Sequence, residues 1–102
     1  MWRDQHLPQT EVWLSEFGWD TQDGSPYSAI GHTRYPQQIS TRELQALWLV
    51  RAYLAGAAAG IDRMFMFMLR DEPGNGPFTS CGMIDLQEQP KTSWYYVATL
   101  SH

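Results

Sequence analysis

The chain has 102 residues, of which 43% are hydrophobic and 18% charged, and its formal charge at pH 7 is −4. This composition predicts one soluble globular domain spanning residues 1–102 rather than a disordered chain, and no apolar run reaches the roughly 20 residues of a membrane helix. The acidic balance and the lack of a lysine or arginine cluster exclude a surface that neutralises phosphates, so neither nucleic acid nor a membrane is an expected partner.

The first predicted element is a strand over residues 12–15. Val12 to Ser15 are led by strand formers, which favour extended backbone. Phe17 to Ile39 are rich in glycine, proline, aspartate and serine, and this composition predicts a loop. A connection of about 23 residues is much longer than the usual 4 to 6, so we expect it to be functional, locally structured or poorly ordered.

A helix is predicted over residues 41–59. Ser40 to Glu43 form a capping box, in which the serine hydroxyl accepts from the amide of Glu43 and the glutamate carboxylate reaches back. Apolar residues at spacings of three, four and seven follow, and Gly60 is suited to a left-handed helix end. Because small residues fill the end of this helix, from Ala55 to Ala59, we expect it to approach a neighbouring backbone closely.

A second strand is predicted over Met64 to Leu69, because six consecutive apolar residues are typical of a strand that is buried on both faces. Strand, helix and strand in this order form the parallel crossover unit of α/β proteins. Arg70 to Pro77 are polar and predict a loop after the second strand. A last helix is predicted over Lys91 to Leu100, with Pro90 just before it.

Candidate site residues follow from this order, because ligands of parallel α/β sheets bind beyond the carboxyl ends of the strands. Glu16 and Trp19 follow the first strand, and Asp71 and Glu72 follow the second. A carboxylate fixed at a strand end among aromatic rings suits a nucleophile for glycoside hydrolysis. The alternatives are a solvated strand-end carboxylate for Glu16 and an ordinary polar loop for Asp71 and Glu72.

The residues from Val12 to Asp20, with Glu-Phe-Gly at positions 16–18, resemble the seventh strand of the retaining glycoside hydrolases of clan A. Later segments resemble the regions that follow in that family: Gln45 to Tyr53, Gly60 to Arg63, Cys81 to Asp85 and Pro90 to Tyr96. The resemblance implies an α/β fold that is the last two βα units of a (β/α)8 TIM barrel. It also implies that Glu16 is the nucleophile.

The same resemblance implies a carbohydrate substrate, with Trp19, Tyr27, Asp71 and Glu72 as candidate substrate-binding residues. Trp19 and Tyr27 could instead only fix their loop to the core. The acid/base of the family lies on the fourth strand, which this sequence does not contain, so we expect the chain alone to be inactive. A full barrel needs eight strands. We therefore expect a C-terminal segment that forms homo-oligomers or belongs to a larger chain; a non-catalytic carbohydrate-binding or structural role is the alternative.

No metal or other cofactor is expected. Cys81 is the single cysteine, and it cannot form an internal disulfide. His6, His32 and His102 have no common spacing with it or with a carboxylate motif, whereas a zinc site needs several closely spaced ligands. Cys81 is expected to be a small buried residue rather than a nucleophile. Nothing in the sequence indicates a compartment.

Overall fold

The computed structural model describes residues 5–6, 9–22, 25–28, 40–74 and 76–100. Four regular elements follow one another in these residues: β1 (Trp13–Phe17), α1 (Thr41–Ala59), β2 (Arg63–Met66) and α2 (Thr92–Leu100). The two strands pair in parallel, and α1 lies between them in the chain. The predicted strand-helix-strand order and the parallel pairing are therefore confirmed. Within these residues, no helix is both long enough and apolar enough to cross a bilayer.

The helix α1 begins and ends where its capping residues predict. The Ser40 hydroxyl accepts a 3.1 Å hydrogen bond from the backbone N–H of Glu43. Gly60 adopts a left-handed conformation with φ 87°, and its N–H donates to the carbonyl of Ala57. Near this end Gly56 lies against a side chain rather than against the neighbouring backbone that was expected, because a Cβ on Gly56 would overlap the sulfur of Met64 on β2. The helix α2 packs against α1 and starts at Thr92, one residue later than predicted.

A β-bulge in β1 decides which side chains face α1. The pairing advances by three residues in β1, from Leu14 to Phe17, but by two in β2, from Met64 to Met66. Phe17 therefore shares the face of Leu14, and its ring contacts the Tyr53 ring of α1 edge-on at 5.0 Å. In a regular strand this place would belong to Glu16, since alternate residues share a face.

The strand predicted over residues 64–69 is shorter than expected and is not buried on both faces. Regular pairing ends at Met66, because the Leu69 carbonyl accepts from the amides of Met83 and Ile84 instead of from a neighbouring strand. Phe65 and Leu69 are 48% and 57% exposed. The helix α1 covers one face of the sheet, and the part of the chain that the structure describes provides no matching layer for the other.

The fold class predicted from the resemblance, two βα units of a (β/α)8 TIM barrel with strands 12–15 and 64–69, is wrong. The described residues form a small assembly of two helices and one two-stranded parallel sheet. A barrel requires consecutive strands with a repeated stagger, so that the sheet curves and closes. Here the chain after β2 forms a loop whose backbone is hydrogen-bonded to residues 81–84. The backbone groups used in these hydrogen bonds are ones that a barrel strand would offer to its neighbours.

Candidate functional site

A groove of about 480 Å³ lies beside the carboxyl end of β1, a volume typical of small-molecule sites. Its lining includes two glutamates and three phenylalanines. The residues are Glu16, Phe17, Gly18, Phe67, Glu72, Pro77 and Phe78. The structure thus brings together two of the predicted site residues, Glu16 and Glu72, which lie far apart in the sequence.

The bulge in β1 accounts for the position of Glu16. It is the penultimate residue of the strand, whereas the sequence predicted it just beyond the strand end. With the extra residue in β1, both Ser15 and Glu16 are exposed, and Phe17 takes the position against α1. Bulges often redirect a side chain next to a functional site. The carboxylate of Glu16 therefore points away from the helix and lines the groove.

Gly18 allows the two strand ends to come together at the base of the groove. The Phe67 amide donates to the Phe17 carbonyl at 2.7 Å. A Cβ on Gly18 would overlap the carbonyl oxygen of Phe67. Only glycine fits this approach without displacing the backbone, so Gly18 fixes the distance between the residues around Glu16 and the ring of Phe67.

Glu72 and its neighbour Asp71 differ sharply in environment. Glu72 is exposed on the groove, and its backbone N–H donates to the Thr79 carbonyl at 2.8 Å. Asp71 is buried, and its oxygens accept from the Lys91 ammonium and from the amide of Gly82, each at 2.8 Å. The oxygens of Asp71 are therefore engaged inside the protein, and its predicted contact with substrate stays a prediction.

Lys91 joins the loop that follows β1 to the loop that follows β2 through one buried ammonium group. Its side chain is completely buried, and besides Asp71 it donates to the Thr21 hydroxyl at 2.8 Å and to the Ser80 carbonyl at 2.9 Å. Burial lowers the pKa of this ammonium below its usual value, and the Asp71 carboxylate opposes that shift. Because a buried charge is tolerated only when it is well paired, this site holds the loops around the groove in register.

Asp20 holds a second set of loop residues. Its buried carboxylate accepts from the Ser25 hydroxyl at 2.7 Å and from the amides of Phe78 and Ser80 at 2.9 and 3.2 Å. Its own amide donates to the Tyr27 carbonyl at 3.1 Å. Tyr27, a predicted substrate-binding residue, therefore lies next to Phe78, with ring centroids 4.3 Å apart.

Trp19 does not line the groove. Its ring packs edge-on against Trp48 of α1 at 5.3 Å, and both rings border a separate shallow hollow. Its carbonyl accepts from the buried amide of Gln45 at 3.1 Å. These contacts favour the alternative given above, in which this ring fixes its loop to the core.

The residues described contain no group of three or more metal-ligating side chains. Cys81 is buried as predicted, and burial, together with nearby Asp20, raises the pKa of its thiol to about 11. It is therefore a poor nucleophile at neutral pH. His32 and His102 lie outside the described residues.

Sequence reasoning missed Phe67 and Phe78 as groove residues, and Lys91 and Asp20 as the anchors beneath them. Phe67 lies in a run that predicts a fully buried strand, so its exposure has no local signal. Lysine side chains are usually exposed, and only the partners of Lys91 in the folded chain show that this one is buried. The sequence signal that could have indicated Phe78 is the presence of an aromatic residue among loop residues.

No protein-family model matches this sequence, and a search of curated proteins found no relative.

Proposed function

We propose that the groove binds carbohydrate and that Glu16 is the carboxylate nucleophile of a retaining glycoside hydrolase site, in a chain that does not itself carry the acid/base. The observation that carries this proposal is the bulge of β1, which directs Glu16 into a groove shared with Glu72 and the ring of Phe67. The resemblance of residues 12–20 to a nucleophile strand supports the same role.

The lining of the groove fits a neutral, polyhydroxylated ligand. Carboxylates accept hydrogen bonds from sugar hydroxyls, and aromatic rings contact the apolar C–H faces of a pyranose. None of the described residues that line the groove is basic, so a phosphate or other anion would meet only like charge from Glu16 and Glu72. These features favour sugars over nucleotides or acidic ligands.

The chemistry assigned to Glu16 is the first half of a double displacement. A carboxylate oxygen of Glu16 bonds to the anomeric carbon, while the bond from that carbon to the leaving oxygen breaks and the electron pair departs with the leaving group. A natural alcohol leaving group needs a proton from a second carboxyl. A dinitrophenolate does not, since it is a stable anion.

The test is therefore labelling with dinitrophenyl 2-deoxy-2-fluoro-β-glycosides of gluco, xylo and manno configuration. At least one of them is expected to release one equivalent of dinitrophenolate and to add one fluoroglycosyl group to the peptide containing Glu16, detected by mass spectrometry. Glu16→Gln is expected to abolish both signals. Glu43→Gln serves as the matched control, because Glu43 is an exposed carboxylate on α1 that does not line the groove.

Labelling that persists in Glu16→Gln, or that falls equally in Glu43→Gln, would refute the role of Glu16.

The alternative function is a non-catalytic carbohydrate-binding site. The open exposure of Glu16 and Glu72 favours it, because neither carboxyl is enclosed as a proton-donating acid usually is. Binding of glycosides without any labelling would select this alternative.

We also propose that copies of the chain associate through the face of the sheet that the described residues leave uncovered. Trp13 and Phe65 lie on this face, in contact at 5.8 Å and about half exposed. Burying such a side chain contributes on the order of 1.5–3 kcal/mol. Sedimentation velocity is expected to show dimers or larger species that dissociate in Phe65→Lys; a compact wild-type monomer at all concentrations would contradict this.

A further inference from the structure

Two aromatic side chains from separate loops, Tyr27 and Phe78, stand side by side, and Phe78 lines the groove. The rings of Tyr27 and Phe78 have centroids 4.3 Å apart and an angle of 30° between their planes. Both remain open to solvent, at 43% and 44% exposure, and Phe78 lines the same groove as Glu16. The part of the Phe78 ring that Tyr27 leaves uncovered is therefore available to a ligand in the groove.

A single buried residue fixes both rings. The amide of Asp20 donates to the Tyr27 carbonyl, and its carboxylate accepts from the Phe78 amide at 2.9 Å. Ser25 and Ser80 add further hydrogen bonds to the same carboxylate. Because this polar anchor already holds the two loops, the rings are not needed to fix them, and they do not behave as anchors, which would be buried.

The backbone of Phe78 is held in an unfavourable conformation. Its φ is 64°, in the left-handed region that residues other than glycine, asparagine and aspartate rarely adopt. Such conformations persist only where surrounding contacts enforce them, and they concentrate at ligand-binding positions. Here the enforcing contacts are the hydrogen bond to Asp20 and the 3.1 Å contact from the Cys81 thiol to the Phe78 carbonyl.

We infer that the Tyr27–Phe78 ring pair is a second sugar subsite, so that the ligands of this groove are oligosaccharide chains rather than single glycosides. The inference rests on the proposed function, since it places one sugar beside Glu16 and the adjoining sugar against the rings. A preset aromatic surface with no charge of its own suits the C–H face of a pyranose, which offers no group for a salt bridge. The groove volume of about 480 Å³ is within the range of sites for ligands of several rings.

The test is calorimetric titration with methyl β-glycosides and their β-1,4-linked di-, tri- and tetrasaccharides in gluco, xylo and manno series. Phe78→Gly is the informative variant, because it removes the ring and also suits the positive φ, so the fold is expected to be retained. Tyr27→Phe keeps the second ring and is expected to bind as wild type does. Tyr95→Ala is the matched control, since Tyr95 is an exposed aromatic on α2 outside the groove.

In one series, affinity is expected to rise by about two- to tenfold from one sugar unit to two or three, the range for one aromatic stacking contact. Phe78→Gly should remove that increase, whereas Tyr95→Ala should keep it. Equal affinity across chain lengths, or an increase that survives in Phe78→Gly, would overturn the subsite while leaving labelling of Glu16 intact. Absence of both binding and labelling would overturn the proposed function as well.

Discussion

Replacing Lys91 by methionine is expected to remove a large part of the free energy of unfolding. Methionine fills a similar volume but leaves the buried Asp71 carboxylate with the Gly82 amide and without its cation. Breaking one side of a buried ion pair costs about 3–5 kcal/mol. At roughly 0.05–0.15 kcal/mol per residue, a chain of 102 residues has a total stability of about 5–15 kcal/mol. The substitution should therefore consume at least a fifth of that total.

The assay is urea unfolding followed by tryptophan fluorescence and circular dichroism, in a double-mutant cycle. Asp71→Asn keeps an oxygen for the Gly82 amide and removes the charge, so the double variant Lys91→Met with Asp71→Asn should recover much of the loss. Arg70→Met is the control, since Arg70 forms an exposed ion pair with Glu88 and its loss should cost at most about 1 kcal/mol. A Lys91→Met cost equal to that of Arg70→Met, or strictly additive single effects, would refute the assignment of Lys91 as the loop anchor.

Three further predictions concern single residues. Gly18→Ala should lower stability by about 1–3 kcal/mol, because the added Cβ would overlap the Phe67 backbone. Gly76→Ala is the control and should not lower it, since there is room for a Cβ at that position. Equal thermal unfolding midpoints for the two variants would contradict the close approach at Gly18. The hydrogen bond from the Gln89 amide lowers the pKa of the Asp85 carboxyl in the folded chain. The contribution of Asp85 to stability is therefore present above its ordinary pKa of 3.8 and is lost as pH falls through the lower folded pKa. Urea midpoints measured from pH 5 to pH 2 should consequently fall less steeply in Asp85→Asn, and identical slopes would contradict this. Cys81 should react with iodoacetamide at pH 8 only as fast as the chain unfolds, since its thiol is buried and has a pKa of about 11. Rapid labelling that urea does not accelerate would disprove the protection of this thiol by the fold.

The parts of the fold that local sequence determines were predicted well. The bounds of α1 follow from a serine cap at Ser40 and a glycine at position 60, and both act through hydrogen bonds to residues three positions away. The limits of the strands depend on distant partners instead. Pairing between β1 and β2 extends β1 to Phe17, and the amides of residues 83–84 withdraw Leu69 from the sheet.

The candidate site was predictable only in part for the same reason. Glu16 and Glu72 were found because ligands gather at the ends of parallel strands, a rule that needs only the order of elements. The exposure of Phe67 and the left-handed backbone of Phe78 have no signal in a single sequence, because the Phe17 carbonyl that binds the Phe67 amide and the Asp20 carboxylate that binds the Phe78 amide lie in a distant part of the chain. The barrel was inferred from resemblance alone, and the hydrogen bonds of residues 81–84 contradict it.

The bulge in β1 decides which face of the strand Glu16 occupies. Ser15 and Glu16 together occupy the place of one residue between Leu14 and Phe17, so Glu16 faces away from the helix while Phe17 faces it. Replacing a side chain in this stretch alters the chemistry offered to the groove but preserves the orientation. Deleting Ser15 would remove the bulge and keep Phe17 opposite Met66, so Glu16 would alone occupy the outward position that it now shares with Ser15.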